Sequence, residues 1–505
     1  MSDYLEFVKD SIQTLLERQS ARLGGRPDGM PCITVTKQSS KTYRSVSKGP
    51  DGIYRSGLVT EQPLEPTPYR LDLRIWPVLD LFSEVTGDAQ YRQMAVEMAS
   101  AFGRYGFESA SGLGYLGNTA EFDVLRLQPV AVSSQAEPLF KPDVYVPVDR
   151  LWAEAPDRVA RMLKSVYYGL ITRPETLDYN RYCHYGYDDR LKKPSMAFNS
   201  GHVAFATTGA MLIHWWGSHF ARTGDAECLA WAQAMADKWG AVQHSESGLI
   251  PHWFGGRRDE PTMPPQPTAS SDETPAAISL LRAADELKKR PEGAALAEQV
   301  SGVARRLLRG MARHSYDPAE RVFPQWLHLD GRVREETVVY TFRTQADKDE
   351  AVRQDPVLQE VAVFAGSGFY AAGPWCVGVQ NACPYNVALG ACLLGDADLL
   401  ARAQALAADV MEEAGKLTGA FNAQGQWTYP ASASYIKMMI LLSDLTKERR
   451  YLDQARKLAD MELDFLSRPA PAGEPEWWRM PFRGDLLEAL LLLHRALVRS
   501  ERTGR

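Results

Sequence analysis

The sequence is short of most features that announce a chemistry. It has no CxxC pair, no HExxH, no GxxxxGK[ST] and no GxSxG, so zinc-hydrolase, phosphate-loop and nucleophile-elbow mechanisms lack their signatures. Its six cysteines, at 32, 183, 228, 376, 383 and 392, are spaced for neither a metal knuckle nor a disulfide scaffold, and are expected to be reduced and buried. No stretch approaches the roughly 18 consecutive apolar residues of a membrane span. Positive charge is not in excess: the formal net charge is -6, which argues against nucleic acid or an anionic membrane as the main partner. The N-terminal "MSDYLEFVKDSIQTLLERQ" is an amphipathic helix without the basic-then-apolar pattern of a secretory leader, so a cytoplasmic location is expected.

What is present is repetition. "SEVTGDAQY" (83–91), "ARTGDAEC" (221–228) and "LLGDADLL" (393–400) share one turn, and "LTKERRYL" (445–452) stands in the same context. Gly87, Gly224 and Gly395 are placed to end one helix in the left-handed region, and the aspartate after each to cap the next. Each turn leads into a run with apolar residues at i, i+3 and i+4, such as "CLAWAQAMADKWGAVQ". A second landmark, rich in glycine and aromatics, follows: "SGLGYLGN" (111–118), "SGLIPHWFGG" (247–256) and "TGAFNAQGQW" (418–427). Helical hairpins repeated in this way bury their apolar faces against one another. Short plain turns at one end and long aromatic loops at the other favour a closed ring over an open solenoid. The expected fold is all-α, an (α/α)6–7 barrel forming one catalytic domain over 1–505. Residues 25–70 would be an irregular strand-and-loop segment on the rim, and 255–275, rich in proline, a long loop. "EETVVYTFRTQ" (335–345) reads as a strand decorating the barrel.

One segment is unlike the helices around it. "DYNRYCHYGYDDR" (178–190) holds four tyrosines, three aspartates, two arginines and a histidine, the mixture that sugar rings and carboxylates require. Its candidates are Asn180, Arg181, Tyr182, His184, Tyr187 and Asp188. His202 in "FNSGHVAF" is read as beginning the next helix, and Asn118 lies in the first landmark loop. His252, Trp253 and Arg257 occupy "GLIPHWFGGRR"; Trp427, Trp477 and Arg479 occupy the corresponding later loops. Tryptophan recurring at one rim suggests a stacking platform for sugars. His214 and His219, five apart on one helix, are read as structural.

Three of these motifs, "SGLGYLGNTAEFD", "DYNRYCHYGYDD" and "AFNSGH", resemble those of α/α-barrel carbohydrate enzymes, in particular polysaccharide lyase family 2, the pectate lyases with an arginine base. The resemblance implies the barrel, an acidic oligosaccharide or polysaccharide as partner, and a role for Arg181, which matches the arginine of the family's "NRH" motif. It also implies a divalent metal held by histidines. Thr119 and Tyr182 stand at two of those histidine positions, so no cofactor is the first expectation and a divalent metal the alternative. A second resemblance is to α/α-barrel glycoside hydrolases that remove glucuronic acid.

Two reactions follow. β-Elimination needs a base for the proton alpha to the uronate carboxylate, and cations or donors for the enediolate. Because an arginine pKa lies above about 12, Tyr182, Tyr187, His184 or His252 is preferred as base, with Arg181 clamping the carboxylate. Hydrolysis instead needs paired carboxyl groups, and none of Asp188, Asp189, Glu121, Asp123, Glu246 or Asp485 stands in a signature. Elimination is the favoured reading, hydrolytic release of a terminal uronic acid the alternative, and a non-enzymatic helical-repeat scaffold the third.

Overall fold

The computed structural model describes residues 4–13, 42–48, 54–60, 75–105, 121–123, 128–130, 148–179, 187–188, 193–194, 204–254, 268, 270–316, 323–324, 327–332, 340–342, 362–365, 375–376, 383–413, 433–467 and 484–503. Helix α1 covers residues 4–13. The hairpin helices are α2 (Ile75–Thr86) with α3 (Ala89–Tyr105), α4 (Val148–Glu154) with α5 (Pro156–Leu170), α6 (Ala206–Thr223) with α7 (Ala226–Val242), and α8 (Ser270–Leu287) with α9 (Ala294–His314). They continue with α10 (Cys383–Leu394) and α11 (Ala397–Glu413), α12 (Ala433–Thr446) and α13 (Arg449–Ser467), and a final α14 (Gly484–Thr503).

The inner helices pack in the order α6, α8, α10, α12, α14 and α2, while α4 and α5 bridge from α3 to α6. The path therefore returns to its start and the ring closes. Arg495 of α14 pairs with Glu84 of α2 at 2.8 Å, and the Tyr4 hydroxyl of α1 donates to Asp460 of α13. One continuous apolar core, from Val8 through Trp76 and Trp216 to Leu497, runs around the ring. This is the expected all-α barrel.

The hairpin turns follow the chemistry of their residues. Gly87, Gly224 and Gly395 have φ of 76°, 74° and 59°, a region open to glycine without a Cβ clash. Asp88 Oδ1 accepts from the Gln90 amide at 3.0 Å, Asp225 Oδ1 from Glu227 at 3.0 Å, and Asp396 Oδ1 from Asp398 and Leu399 at 3.1 Å. In the "TGD" turns the threonine also takes part. Thr86 and Thr223 donate to the carbonyls of Phe82 and His219 and accept from the aspartate amides that follow. Thr446 does the same before Lys447, which takes the left-handed position at φ 63° without being glycine.

Paired strands decorate the barrel. β1 (Thr42–Lys48) and β2 (Tyr54–Thr60) form an antiparallel hairpin within the expected 25–70 rim segment. Others are β3 (Glu121–Asp123) with β4 (Gln128–Val130), β5 (Ile171–Arg173) with β6 (Asp178–Tyr179), β7 (Tyr187–Asp188) with β8 (Lys193–Pro194), and β9 (Ala204–Phe205) with β10 (Trp253–Phe254). β11 (Phe323–Pro324) pairs with β14 (Trp375–Cys376), and β12 (Tyr340–Phe342), inside the expected 335–345 strand, runs parallel to β13 (Ala362–Ala365).

Three expectations need correction. The loop read over 255–275 ends earlier, because α8 begins at Ser270 and runs through Pro275. That proline lies near the helix start, where its missing N–H removes a single ladder bond, the one to the Ser271 carbonyl. The helix after "FNSGH" begins at Ala206 rather than at His202, because Ala204 and Phe205 are extended and pair with Phe254 and Trp253. Cys392 is exposed, whereas Cys228 and Cys383 are buried as expected.

Candidate active site

Inner helices of a ring of hairpins all run in the same direction. Their N-termini therefore gather at one rim, and each is reached from a long connection. The first turns of α8, α10, α12 and α14 are joined there by side chains. His252, just before β10, is buried, and its Nδ1 lies 2.7 Å from Oε1 of Glu273, a fully buried carboxylate in the first turn of α8. The position of His252 is fixed through the backbone as well: its carbonyl accepts from the amide of Ala206, the first residue of α6, at 3.0 Å. The Phe205 ring meets the imidazole edge to face, 5.1 Å between centroids. A carboxylate can only accept, so Nδ1 is the donor in this pair and carries a proton.

The neighbouring helices extend this polar band. Asn386 of α10 donates to Thr274 Oγ1 at 3.2 Å, next in sequence to Glu273. Lys437 of α12 lies 3.2 Å from Glu488 of α14 and 5.2 Å above the Tyr385 ring of α10. Burial pushes the Lys437 ammonium down, but Glu488, Tyr385 and Asp485 outweigh it, and the net shift is upward. The rim thus presents an imidazole held by a carboxylate, and a cation held by aromatic and acidic neighbours.

The aromatic stretch is anchored at its start. Asp178 pairs with Lys238 of α7, and the fully buried Tyr179 donates its hydroxyl to the Phe205 carbonyl. Tyr179 and Trp239 both press on Gly209, where a Cβ would collide with the indole nitrogen and the phenol oxygen. Tyr179, at the start of the stretch, therefore lies beside the start of α6.

Of the predicted site residues, His252 is the one whose side chain is described. Trp253 is placed by the backbone of β10, and Tyr187 and Asp188 by β7, whose partner β8 packs on α5. No described contact brings β7 to His252. Asn118, Asn180, Arg181, Tyr182, His184, His202, Arg257, Trp427, Trp477 and Arg479 lie outside the described residues. So does Thr119; the hydroxyls of Thr119 and Tyr182 do not match the imidazoles that the resembled family offers a metal. Sequence reasoning missed Glu273 and Lys437. Glu273 sits in "SSDETP", where proline argued for a loop; an acidic residue in the opening turn of a helix was the available signal.

Fold and rim are those of an α/α barrel, and the family to which the chain belongs makes it one of the carbohydrate-active class. The family model described as periplasmic pectate lyase matches residues 74–326, half of the chain, and the chain belongs to that family. The family's description does not support the cytoplasmic location expected above; among the described residues no helix is long and apolar enough to cross a membrane. No curated protein matches the chain. Among solved structures, an unsaturated glucuronyl hydrolase specific for heparin is 12% identical with a TM-score of 0.38, covering 98% of both chains. An unsaturated glucuronyl hydrolase from Bacillus sp. GL1, responsible for the degradation of glycosaminoglycan, is 14% identical with a TM-score of 0.37, covering 92% of both. A D-mannose isomerase is 14% identical with a TM-score of 0.41, covering 78% of this chain and 96% of its own. At these TM-scores none of the three bears on the reaction.

Proposed function

We propose that this chain cleaves uronic-acid-containing oligosaccharides or polysaccharides by β-elimination, with His252 as the base and Glu273 as its positioning residue. The observation that carries this reading is the buried His252–Glu273 pair, 2.7 Å apart, at the rim where the inner helices begin. Nε2 of His252 removes the proton alpha to the uronate carboxylate; the electron pair forms the C=C bond as the bond to the leaving oxygen breaks. That oxygen takes a proton from a donor, for which Tyr182 and Tyr187 are the candidates. Glu273 holds the imidazolium that forms. Lys437, the converging helix N-termini and Arg181 favour the extra negative charge of the enediolate. Trp253, Trp427 and Trp477 are proposed to stack on sugar rings, and Asn118, Asn180, His184, Asp188, His202, Arg257 and Arg479 to line the same cleft.

Hydrolysis would need two free carboxyl groups across the scissile bond, and Glu273 is already engaged by the imidazole. The family's own description, a pectate lyase, points the same way. The test is incubation with acidic oligosaccharides, reading the ultraviolet absorbance of an unsaturated uronate. The expected result is absorbing product, lost in His252→Ala. Free uronate without absorbance would replace elimination by hydrolysis, and an inert protein across acidic glycans would remove the reading.

A further inference from the structure

The opposite rim holds a second constellation that the proposed reaction does not use. His219, in the last turn but one of α6, Asp225, the N-cap of α7, and Cys228, in the first turn of α7, each offer one ligand atom, and these atoms lie within 4.8 Å of one another. His219 lies thirteen positions after Ala206 on α6, about 20 Å at 1.5 Å per residue, so this place is remote from His252. His219 is 5% exposed and Cys228 fully buried. His219 Nε2 lies 3.5 Å from Asp225 Oδ2, while Nδ1 is buried with no hydrogen-bond partner. Nε2 is therefore the nitrogen that faces the carboxylate, and the one a cation between them would meet.

We propose that His219, Asp225 and Cys228 bind a divalent metal of the zinc class. One nitrogen, one oxygen and one sulfur suit a borderline-soft ion rather than magnesium or calcium. With bonds of about 2.0–2.3 Å, tetrahedral ligands stand about 3.3–3.8 Å apart, so the three atoms must close by about 1 Å. Asp225 and Cys228 share one helical turn, and His219 faces them across the hairpin bend. On binding, the Cys228 thiol gives its proton to solvent and the metal–sulfur bond forms.

The site contains its own competitor. The Lys164 ammonium of α5 lies 2.8 Å from Asp225 Oδ2 and 2.8 Å from Glu227 Oε2. It holds the carboxylate that the metal needs, and binding displaces it, leaving Glu227 or water for the fourth position. The site therefore takes metal in exchange for a lysine contact between α5 and the α6–α7 hairpin.

The test is titration of the full, reduced chain with Co²⁺, followed through the thiolate-to-cobalt charge-transfer band, then displacement by Zn²⁺. The wild-type protein is expected to develop the band at one equivalent and to melt at higher temperature with Zn²⁺ present. Cys228→Ser should lose the band. Asp225→Asn, which keeps a competent helix cap, should bind several-fold more weakly with the fold intact. Lys164→Met should bind several-fold more tightly. No band in the wild type, a band that survives Cys228→Ser, or an affinity indifferent to Lys164→Met would each overturn the proposal. None of these readouts depends on turnover at His252.

Discussion

The two ends of α6 use polar groups in opposite ways. At the first end, Gly209 lets Tyr179 and Trp239 close on the backbone, and His252 and Glu273 form a buried pair beside it. At the other end, Gly224 turns the chain, Asp225 caps α7, and His219, Cys228 and Lys164 crowd the bend. The turn end is built from local rules that recur at Gly87, Gly395 and Lys447. The described part of the loop end is built from contacts between segments far apart in sequence, such as His252 with Glu273 and Asn386 with Thr274. Function is proposed where repetition stops.

The largest expected effect separates the two ends by activity. His252→Ala should lower turnover by about 10²–10⁴-fold, the usual worth of a general base, and Arg181→Ala should abolish it with the thermal melt nearly unchanged. Asp88→Asn, at a turn, should leave turnover alone. An equal loss in both places would erase the distinction.

Next come changes in packing and protonation. Gly209→Val should cost about 1–3 kcal/mol or more, because its side chain meets Trp239 and Tyr179. Gly87→Val meets nothing within 4 Å and carries only the backbone strain of φ 76°; chemical denaturation should rank the two in that order. Half-buried His214, midway along α6, sits deep enough that burial, with Arg282 and then Arg222, lowers it from 6.5 to about 3. The unfolded chain takes up that proton first as pH falls. Its contribution is therefore full above pH 6.5 and is lost progressively towards pH 3. His214→Gln should flatten the fall of stability with acid over that window.

The smallest effects test the turn rules themselves. Asp225→Ala should cost about 1 kcal/mol through its lost cap. Lys447→Gly should stabilise by about 0.5 kcal/mol, since glycine carries no Cβ penalty at φ 63°. A destabilised Lys447→Gly would mean that the lysine side chain, not the backbone, holds that bend.

The hairpins were legible because caps are local. Thr86, Gly87 and Asp88 act within five residues of one another, so their spelling carries their geometry. Ring closure was legible as a pattern, from the contrast between short and long connections. Glu273 was not, because Pro275 suggests a loop until the helix start is known to tolerate it. Lys437 was not, because its significance lies in Tyr385 and Glu488, 52 residues before it and 51 after it in sequence. A polar residue on an apolar helix announces itself, but its partners do not.

The joint between α14 and α2 has a consequence for synthesis. Glu84 waits for Arg495, so a nascent chain emerging from the ribosome is a crescent with two apolar edges until α14 arrives. Contacts of such long range are slow to form and leave growing chains open to wrong pairings. A truncation that removes α14 would free both edges at once.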